Sequence, residues 1–237
     1  KSGFYPDEAV TAFCAMQVER PVKWIETRSE SFQADDHGRG QVIDAEIAVD
    51  ENDELSAYRV QTTAGIGGDL GSKGCLAPST TFGLLLSGQY DLPAIHFDSQ
   101  GMYTNAVPTG VYRGVGRAEA ICTLERIMDI TARRLDIDPA EFRRKHFIGS
   151  DEFPFETAVG SVYDSGDYEQ TLEKALEMVE YDRLREKQAR LREEEDRYIG
   201  IGISCFIESG GLAPSSVSEL LGMAQPDATV QSSFWES

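Results

Sequence analysis

Val111-Tyr112-Arg113-Gly114-Val115-Gly116-Arg117-Ala118-Glu119-Ala120 is the most informative stretch of this chain. A tyrosine and an arginine lead into a Gly-x-Gly turn. Behind it, Ala118, Ile121, Leu124, Ile127 or Met128, Ala132 and Leu135 recur at spacings of three and four. That period predicts a helix over 117–135. Glycine allows positive φ and a close approach of backbone to a ligand. A helix N-terminus offers free N–H groups and the positive end of a dipole. Arg113 and Arg117 add fixed positive charge in a form that binds oxyanions bidentately. The combination predicts a turn that holds an anionic group, although a bare Gly-x-Gly turn also serves as a plain connector.

Working outward, Asp138-Pro139-Ala140-Glu141 supplies an N-cap, a proline at the first helical position and an acidic residue at the third. These predict a short helix through Arg144. Residues 149–164 read as an irregular connector. Asp167 caps a helix over 168–179, and a charged helix follows over 182–195. Arg190 to Arg197 is a solvated face rather than a binding tail. Ile199 to Glu208 is expected to be a strand, followed by a weakly structured tail. On the other side, Ile95 to Thr104 is a strand that delivers the chain to the turn. Gln41–Val49 and Leu55–Thr63 form an antiparallel hairpin around Asp50-Glu51-Asn52-Asp53. Gly65 to Pro78 is a glycine-rich loop, and Phe82 to Leu86 is a short apolar helix or buried segment. A helix is expected over 7–19 with Val10, Phe13 and Met16 on one face, then a strand over Val22–Thr27. The mixture predicts an α+β fold of mixed and antiparallel strands with packed helices, with a boundary near 150–165.

The 237 residues suffice for one large domain or two small ones. Six Lys and sixteen Arg against 41 acidic residues leave a net charge of −19, which argues against nucleic acid and anionic membrane surfaces as partners. No run approaches the ~20 apolar residues of a membrane span. Cys14, Cys75, Cys122 and Cys205 show no metal-ligand spacing, so neither zinc nor an iron–sulfur cluster is expected within the chain. Cys14, Cys122 and Cys205 are expected to be buried thiols, and the usage fits a reducing, cytoplasmic compartment. His37, in Asp36-His37-Gly38-Arg39-Gly40, has no second histidine near it and reads as a loop residue. His96 falls in a strand, and His146 ends a basic helix. Ser215-Ser216 has no histidine in triad order.

Pro108-Thr109-Gly110-Val111-Tyr112-Arg113-Gly114-Val115-Gly116-Arg117 is followed by Leu124-Glu125-Arg126-Ile127-Met128-Asp129 and Asp138-Pro139-Ala140-Glu141-Phe142-Arg143-Arg144-Lys145. In order and spacing these segments resemble the molybdenum-binding subunit of the xanthine dehydrogenase / aldehyde oxidase / carbon monoxide dehydrogenase family. Lys1-Ser2-Gly3-Phe4-Tyr5-Pro6-Asp7-Glu8-Ala9 and Arg20-Pro21-Val22-Lys23-Trp24 match as well, so the resemblance covers nearly the whole chain.

The resemblance implies an oxidoreductase that hydroxylates an aldehyde or N-heterocycle with oxygen derived from water. It implies a molybdopterin cytosine dinucleotide or related molybdenum–pterin cofactor. The expected partners are an iron–sulfur subunit and an FAD subunit, in a dimer of heterotrimers. Residues 1–150 would be part of a first molybdopterin-binding domain. Residues 151–237 would be a helical connector and the start of a second. Arg113 corresponds to the family's arginine beside the cofactor, and Tyr112, Gly114, Val115 and Gly116 to its cofactor contacts. Ser2 and Thr81 stand where xanthine-type enzymes carry charged purine contacts, which argues against xanthine as substrate. In carbon monoxide dehydrogenases the residue after the loop arginine is a copper-binding cysteine; here it is Gly114, so copper is not expected. The family's Gly-Gly-Phe-Gly loop and catalytic glutamate match nothing in the chain, and Glu208-Ser209-Gly210 only imitates the latter. The isolated chain is therefore expected to be inactive. A carbon monoxide dehydrogenase-like subunit and a non-catalytic scaffold or assembly piece are the alternatives.

Overall fold

The computed structural model describes residues 5–70, 74–111 and 113–208. Residues Lys1–Cys205 form one compact unit, and a second begins at Phe206. Ser2, Tyr112 and the tail beyond Glu208 lie outside the described residues.

Strand β1 (Gln41–Val49) pairs antiparallel with β2 (Leu55–Gly67), from Gln41 opposite Ala64 to Val49 opposite Leu55. The Asp50 carboxylate closes the turn by accepting the N–H groups of Asn52 at 2.8 Å and Glu54 at 2.9 Å. β2 also pairs parallel with β3 (Ile95–Tyr103), so the sheet is mixed with β2 at its centre. Alternation along β2 buries Tyr58, Val60, Thr62 and Ala64 on one face. Helix α3 (Arg117–Arg134) lies against that core with Ala120, Leu124, Met128 and Ala132 buried at every fourth position. Phe82, Leu86, Tyr90 and Phe142 complete the cluster. Each fully buried large side chain contributes about 1.5–3 kcal/mol.

Helix α4 (Pro139–His146) starts where expected: the Asp138 carboxylate accepts the Ala140 N–H at 2.8 Å, and Pro139 occupies the first turn. His146 is buried, with Nδ1 2.7 Å from the Phe142 carbonyl and Nε2 2.9 Å from that of Asp53. Two short strands, β4 (Phe155–Glu156) and β5 (Val162–Tyr163), pair inside the connector. Helices α5 (Tyr168–Met178) and α6 (Tyr181–Glu194) follow, close to their expected bounds. The fold is α+β.

Several local expectations fail. Val22–Thr27 is not a strand; it is irregular chain leading to α2 (Arg28–Ala34), capped reciprocally by Thr27 and Glu30. α1 (Pro6–Val18) is present but buries none of its residues, so Val10, Phe13 and Met16 stay exposed. The loop expected over Gly65–Pro78 begins as the end of β2 and closes into a π-helical turn, Ala77–Thr81. Cys14 and Cys122 are exposed rather than buried. Cys122 falls between the buried positions Ala120 and Leu124 of α3, where the helical period turns it outward.

Ile199–Glu208 forms no strand and joins no sheet among the described residues. Side chains hold it instead. Gln188 Nε2 donates to the Ile199 carbonyl at 2.7 Å, Arg143 Nη2 to the Ile203 carbonyl at 3.0 Å, and the Cys205 N–H to Glu125 Oε2 at 2.8 Å.

Arg143 and Glu125 form a charged centre inside the core. Arg143 is fully buried and Glu125 is 5% exposed. Arg143 Nε donates to Glu125 Oε2 at 2.9 Å, and Nη1 lies 2.9 Å from Asp129 Oδ1. The Tyr90 hydroxyl donates to Glu125 Oε1 at 2.5 Å. Burial works against the guanidinium charge, but the Glu125 carboxylate and the hydrogen bonds to Glu125 and Asp129 offset it, and Arg143 titrates above its ordinary value. Burial, and then the Glu125 carboxylate, push the Cys205 thiol up to about 12. It stays protonated and is no nucleophile.

Candidate cofactor site

The site is built where loop, turn and helix meet after β3. The chain leaves β3 and runs beside the segment around His37. The His37 N–H donates to the Pro108 carbonyl at 3.0 Å, and the Gly110 N–H to the His37 carbonyl at 2.9 Å. A Cβ on Gly110 would fall 2.3 Å from Cβ of Asp36, so no side chain fits between the two segments. Burial, then the charges of Asp35 and Asp69, raise the Asp36 carboxyl above its ordinary value. His37 is a loop histidine, edge-on to Phe32.

The turn itself has three successive left-handed residues: Gly114 at φ +95°, Val115 at +44° and Gly116 at +84°. For the β-branched Val115 this conformation is strained, and such strain clusters at ligand clamps and active sites, where it costs on the order of 1–3 kcal/mol. Gly116 is the N-cap of α3 and has no side chain to cap it. Its backbone packs on the π-helical turn, where a Cβ would lie 2.2 Å from the Ala77 carbonyl oxygen and 2.7 Å from Thr81 Oγ1. The turn closes through the Arg117 N–H, which donates to the Gly114 carbonyl at 2.9 Å, and the Ala120 N–H, which donates to that of Gly116 at 3.0 Å.

Two sequence-predicted parts therefore meet: Thr81 lies directly under Gly116. Its hydroxyl donates to the Leu76 carbonyl at 2.9 Å, which anchors the π-helical turn. Arg113 is exposed at the rim of the turn, Gly114 and Val115 are half-buried, and Gly116 is buried. Arg39 was not legible as a site residue. Its Nη1 donates to Glu119 Oε2 at 2.9 Å, and its Nη2 donates to the Arg113 carbonyl. A basic residue flanked by Gly38 and Gly40 was the only local signal.

The donors suit an anionic, acceptor-rich ligand. The Arg117 and Ala120 N–H groups close the turn, which leaves those of Ala118 and Glu119 as first-turn donors without a partner within the helix, and Arg113 stands exposed beside them. A Cβ on Gly114 would sit in ordinary contact, 3.7 Å from Ala118 and from Arg39 Nη2. A phosphate- and pterin-bearing cofactor fits that donor set. Elsewhere among the described residues, the carboxylates of Asp7, Glu26 and Asp35 converge within 4.8 Å. They offer only hard oxygen ligands, not a zinc or iron–sulfur set.

Known proteins share sequence and fold with this chain. The chain is 36% identical over 236 residues to the carbon monoxide dehydrogenase large chain of Hydrogenophaga pseudoflava, covering 96% of this chain and 29% of that one. It is 30% identical over 218 residues to the nicotine 6-hydroxylase large subunit of Paenarthrobacter nicotinovorans, covering 89% and 26%. The crystal structure of quinoline 2-oxidoreductase from Pseudomonas putida 86 superposes with a TM-score of 0.85 at 31% identity, over 93% of this chain and 28% of that one. The chain thus spans under a third of the length of these relatives. Residues 1–147 match the molybdopterin cofactor-binding domain, and the chain belongs to that family.

Proposed function

We propose that this chain is the cofactor-binding part of the large subunit of a molybdenum hydroxylase. The left-handed Arg113–Gly116 turn, opening the N-terminus of α3 inside the matched region, carries this reading. Arg113 supplies charge at the rim, and the N–H groups of Gly114, Val115 and Gly116 supply neutral donors. Tyr112 completes the proposed cofactor contacts, and Ser2 and Thr81 are assigned to the substrate pocket. When bound, the cofactor supplies the hydroxylation chemistry and accepts the electrons. This chain's residues bind it, orient it and fix the turn.

The substrate class is an aldehyde or N-heterocycle, in line with the names of the nicotine and quinoline relatives. The cofactor is a molybdopterin cytosine dinucleotide or close relative. Electrons pass to iron–sulfur and FAD subunits in a cytoplasmic dimer of heterotrimers. Residues 1–150 belong to the first molybdopterin-binding domain, whose family match ends at 147, and 151–237 to the connector and start of the second. Among the described residues no helix is long and apolar enough to cross a membrane. Metal and nucleotide analysis of the full-length protein with its partner subunits tests the reading. Molybdenum with a pterin near one per large subunit supports it, and a complex free of both rejects it.

Carbon monoxide oxidation is the second reading, favoured by the 36% identity to a carbon monoxide dehydrogenase large chain. Gly114 argues against a copper centre, since it has no side chain to ligate the metal. Copper chelation should leave turnover of the full-length enzyme unchanged. Rapid carbon monoxide oxidation that disappears with copper would reverse this assignment.

The isolated 237-residue chain should bind the cofactor weakly and show no hydroxylase activity. Neutral hydrogen bonds contribute ~1 kcal/mol each and charged ones ~1.5–3 kcal/mol. The entropy and desolvation costs of association offset much of that. Stoichiometric molybdenum in this purified chain would contradict the expectation.

A further inference from the structure

We propose that Arg39 is a positioning residue for the cofactor turn: its guanidinium ties the Arg113 carbonyl to the Glu119 carboxylate and so aims the Gly114 N–H. The inference rests on the reading that the turn faces the cofactor.

Arg39 leaves a seated loop. The hydrogen bonds of His37 to Pro108 and of Gly110 to His37 hold that loop against the segment preceding the turn. The exclusion of any side chain at Gly110 keeps the two segments in contact. Arg39 itself is left-handed, at φ +70°, a conformation that non-glycine residues adopt at a cost. From there its two terminal nitrogens reach the Arg113 carbonyl and Glu119 Oε2. A Cβ on Gly114 would lie 3.7 Å from Arg39 Nη2, so the guanidinium rests against the middle of the turn. The Glu119 side chain is 10% exposed and that of Arg39 36%, so this bridge is partly shielded from water.

The Arg113 carbonyl and the Gly114 N–H belong to one planar trans peptide and point in opposite directions. Pinning the carbonyl toward Arg39 therefore turns the Gly114 N–H to the side of the peptide opposite Arg39. Glu119 balances the Arg39 charge, so the pair adds orientation rather than net attraction for an anion. The attraction comes from Arg113 and Arg117. A planar fork spans a carbonyl and a carboxylate at once, whereas a lysine ammonium on its flexible stem does not reproduce that geometry.

The test uses the full-length, assembled protein carrying Arg39→Ala, Arg39→Lys, Glu119→Gln or Arg113→Ala. Hydrogen exchange across 113–118 is compared with exchange in the β1–β2 hairpin, and molybdenum and pterin content are measured. Arg39→Ala should raise exchange at 113–118 by roughly tenfold or more and lower cofactor content, with the hairpin unchanged. Arg39→Lys should not restore either readout. Glu119→Gln should shift both in the same direction by less, and it carries the test if Arg39→Ala does not assemble. Unchanged exchange at 113–118, full rescue by lysine, or an equal rise across the whole chain would each overturn the proposal. If Arg113→Ala lowers cofactor content but Arg39→Ala leaves the turn's exchange unchanged, the Arg39 inference fails alone. If Arg39→Ala loosens the turn and neither variant lowers cofactor content, the reading of the turn fails instead.

Discussion

Replacing Arg143 by alanine should destabilise the fold by about 3–5 kcal/mol, the range for removing one partner of a buried ion pair. The Glu125 carboxylate, 5% exposed, would be left in the core with only neutral donors. The same change removes the donors to the carbonyls of Pro139, Glu125 and Ile203, so the start of α4 and the segment near Cys205 loosen together. Arg143→Lys should recover only part of the loss, because one ammonium cannot serve the same set of acceptors. Arg143→Met combined with Glu125→Gln should lose less than Arg143→Ala, since it leaves no unpaired charge. Denaturant midpoints of the full-length protein, with hydrogen exchange in α3 and α4, measure the effect. A loss below about 1 kcal/mol would show that the pair does not hold this core.

Gly116→Ala should be the most damaging single-methyl change at the site. The new Cβ would sit 2.2 Å from the Ala77 carbonyl oxygen and 2.8 Å from the Phe82 nitrogen, both backbone atoms. The φ of +84° adds strain of about 1–2 kcal/mol for a residue bearing a Cβ. Overpacking adds about 1–3 kcal/mol. The turn must lift from the π-helical segment, and molybdenum content of the full-length protein should fall at least about tenfold, equivalent to ~1.4 kcal/mol. Gly40→Ala is the control: its Cβ would meet nothing within 4 Å, and content should stay at the wild-type level. Equal content in both variants would mean that the seat of the turn does not govern cofactor binding.

The parts legible from sequence are those set by local rules. The period of Ala120, Leu124, Met128 and Ala132 marks α3, the Asp138-Pro139 pair starts α4, and alternation with an Asp-rich turn gives the β1–β2 hairpin to the residue at β1. Helix α2 was equally local: Thr27 and Glu30 carry the spacing of a capping box, obscured by the apparent alternation of 22–27 before it. Ile199–Glu208 shows the opposite case. Its apolar alternation mimics a strand, but its partners are side chains of Arg143, Glu125 and Gln188, which no local pattern reveals. The site divides in the same way. The Gly-x-Gly turn and its arginine could be read from neighbours in the chain. The Arg39 bridge, 74 residues from Arg113, and the seat of Gly116 on the π-helical turn exist only after folding.

Arg113→Ala in the full-length, assembled protein tests most directly whether this turn holds the cofactor. Arg113 is exposed, so its loss should change stability by no more than about 0.5 kcal/mol. Removing one charged contact, about 1.5–3 kcal/mol, should weaken cofactor retention by roughly tenfold or more. Molybdenum and pterin are measured per large subunit, beside the unfolding midpoint. The expected result is a clear fall in both with the midpoint unchanged. Wild-type cofactor content and turnover in the Arg113→Ala protein would contradict it.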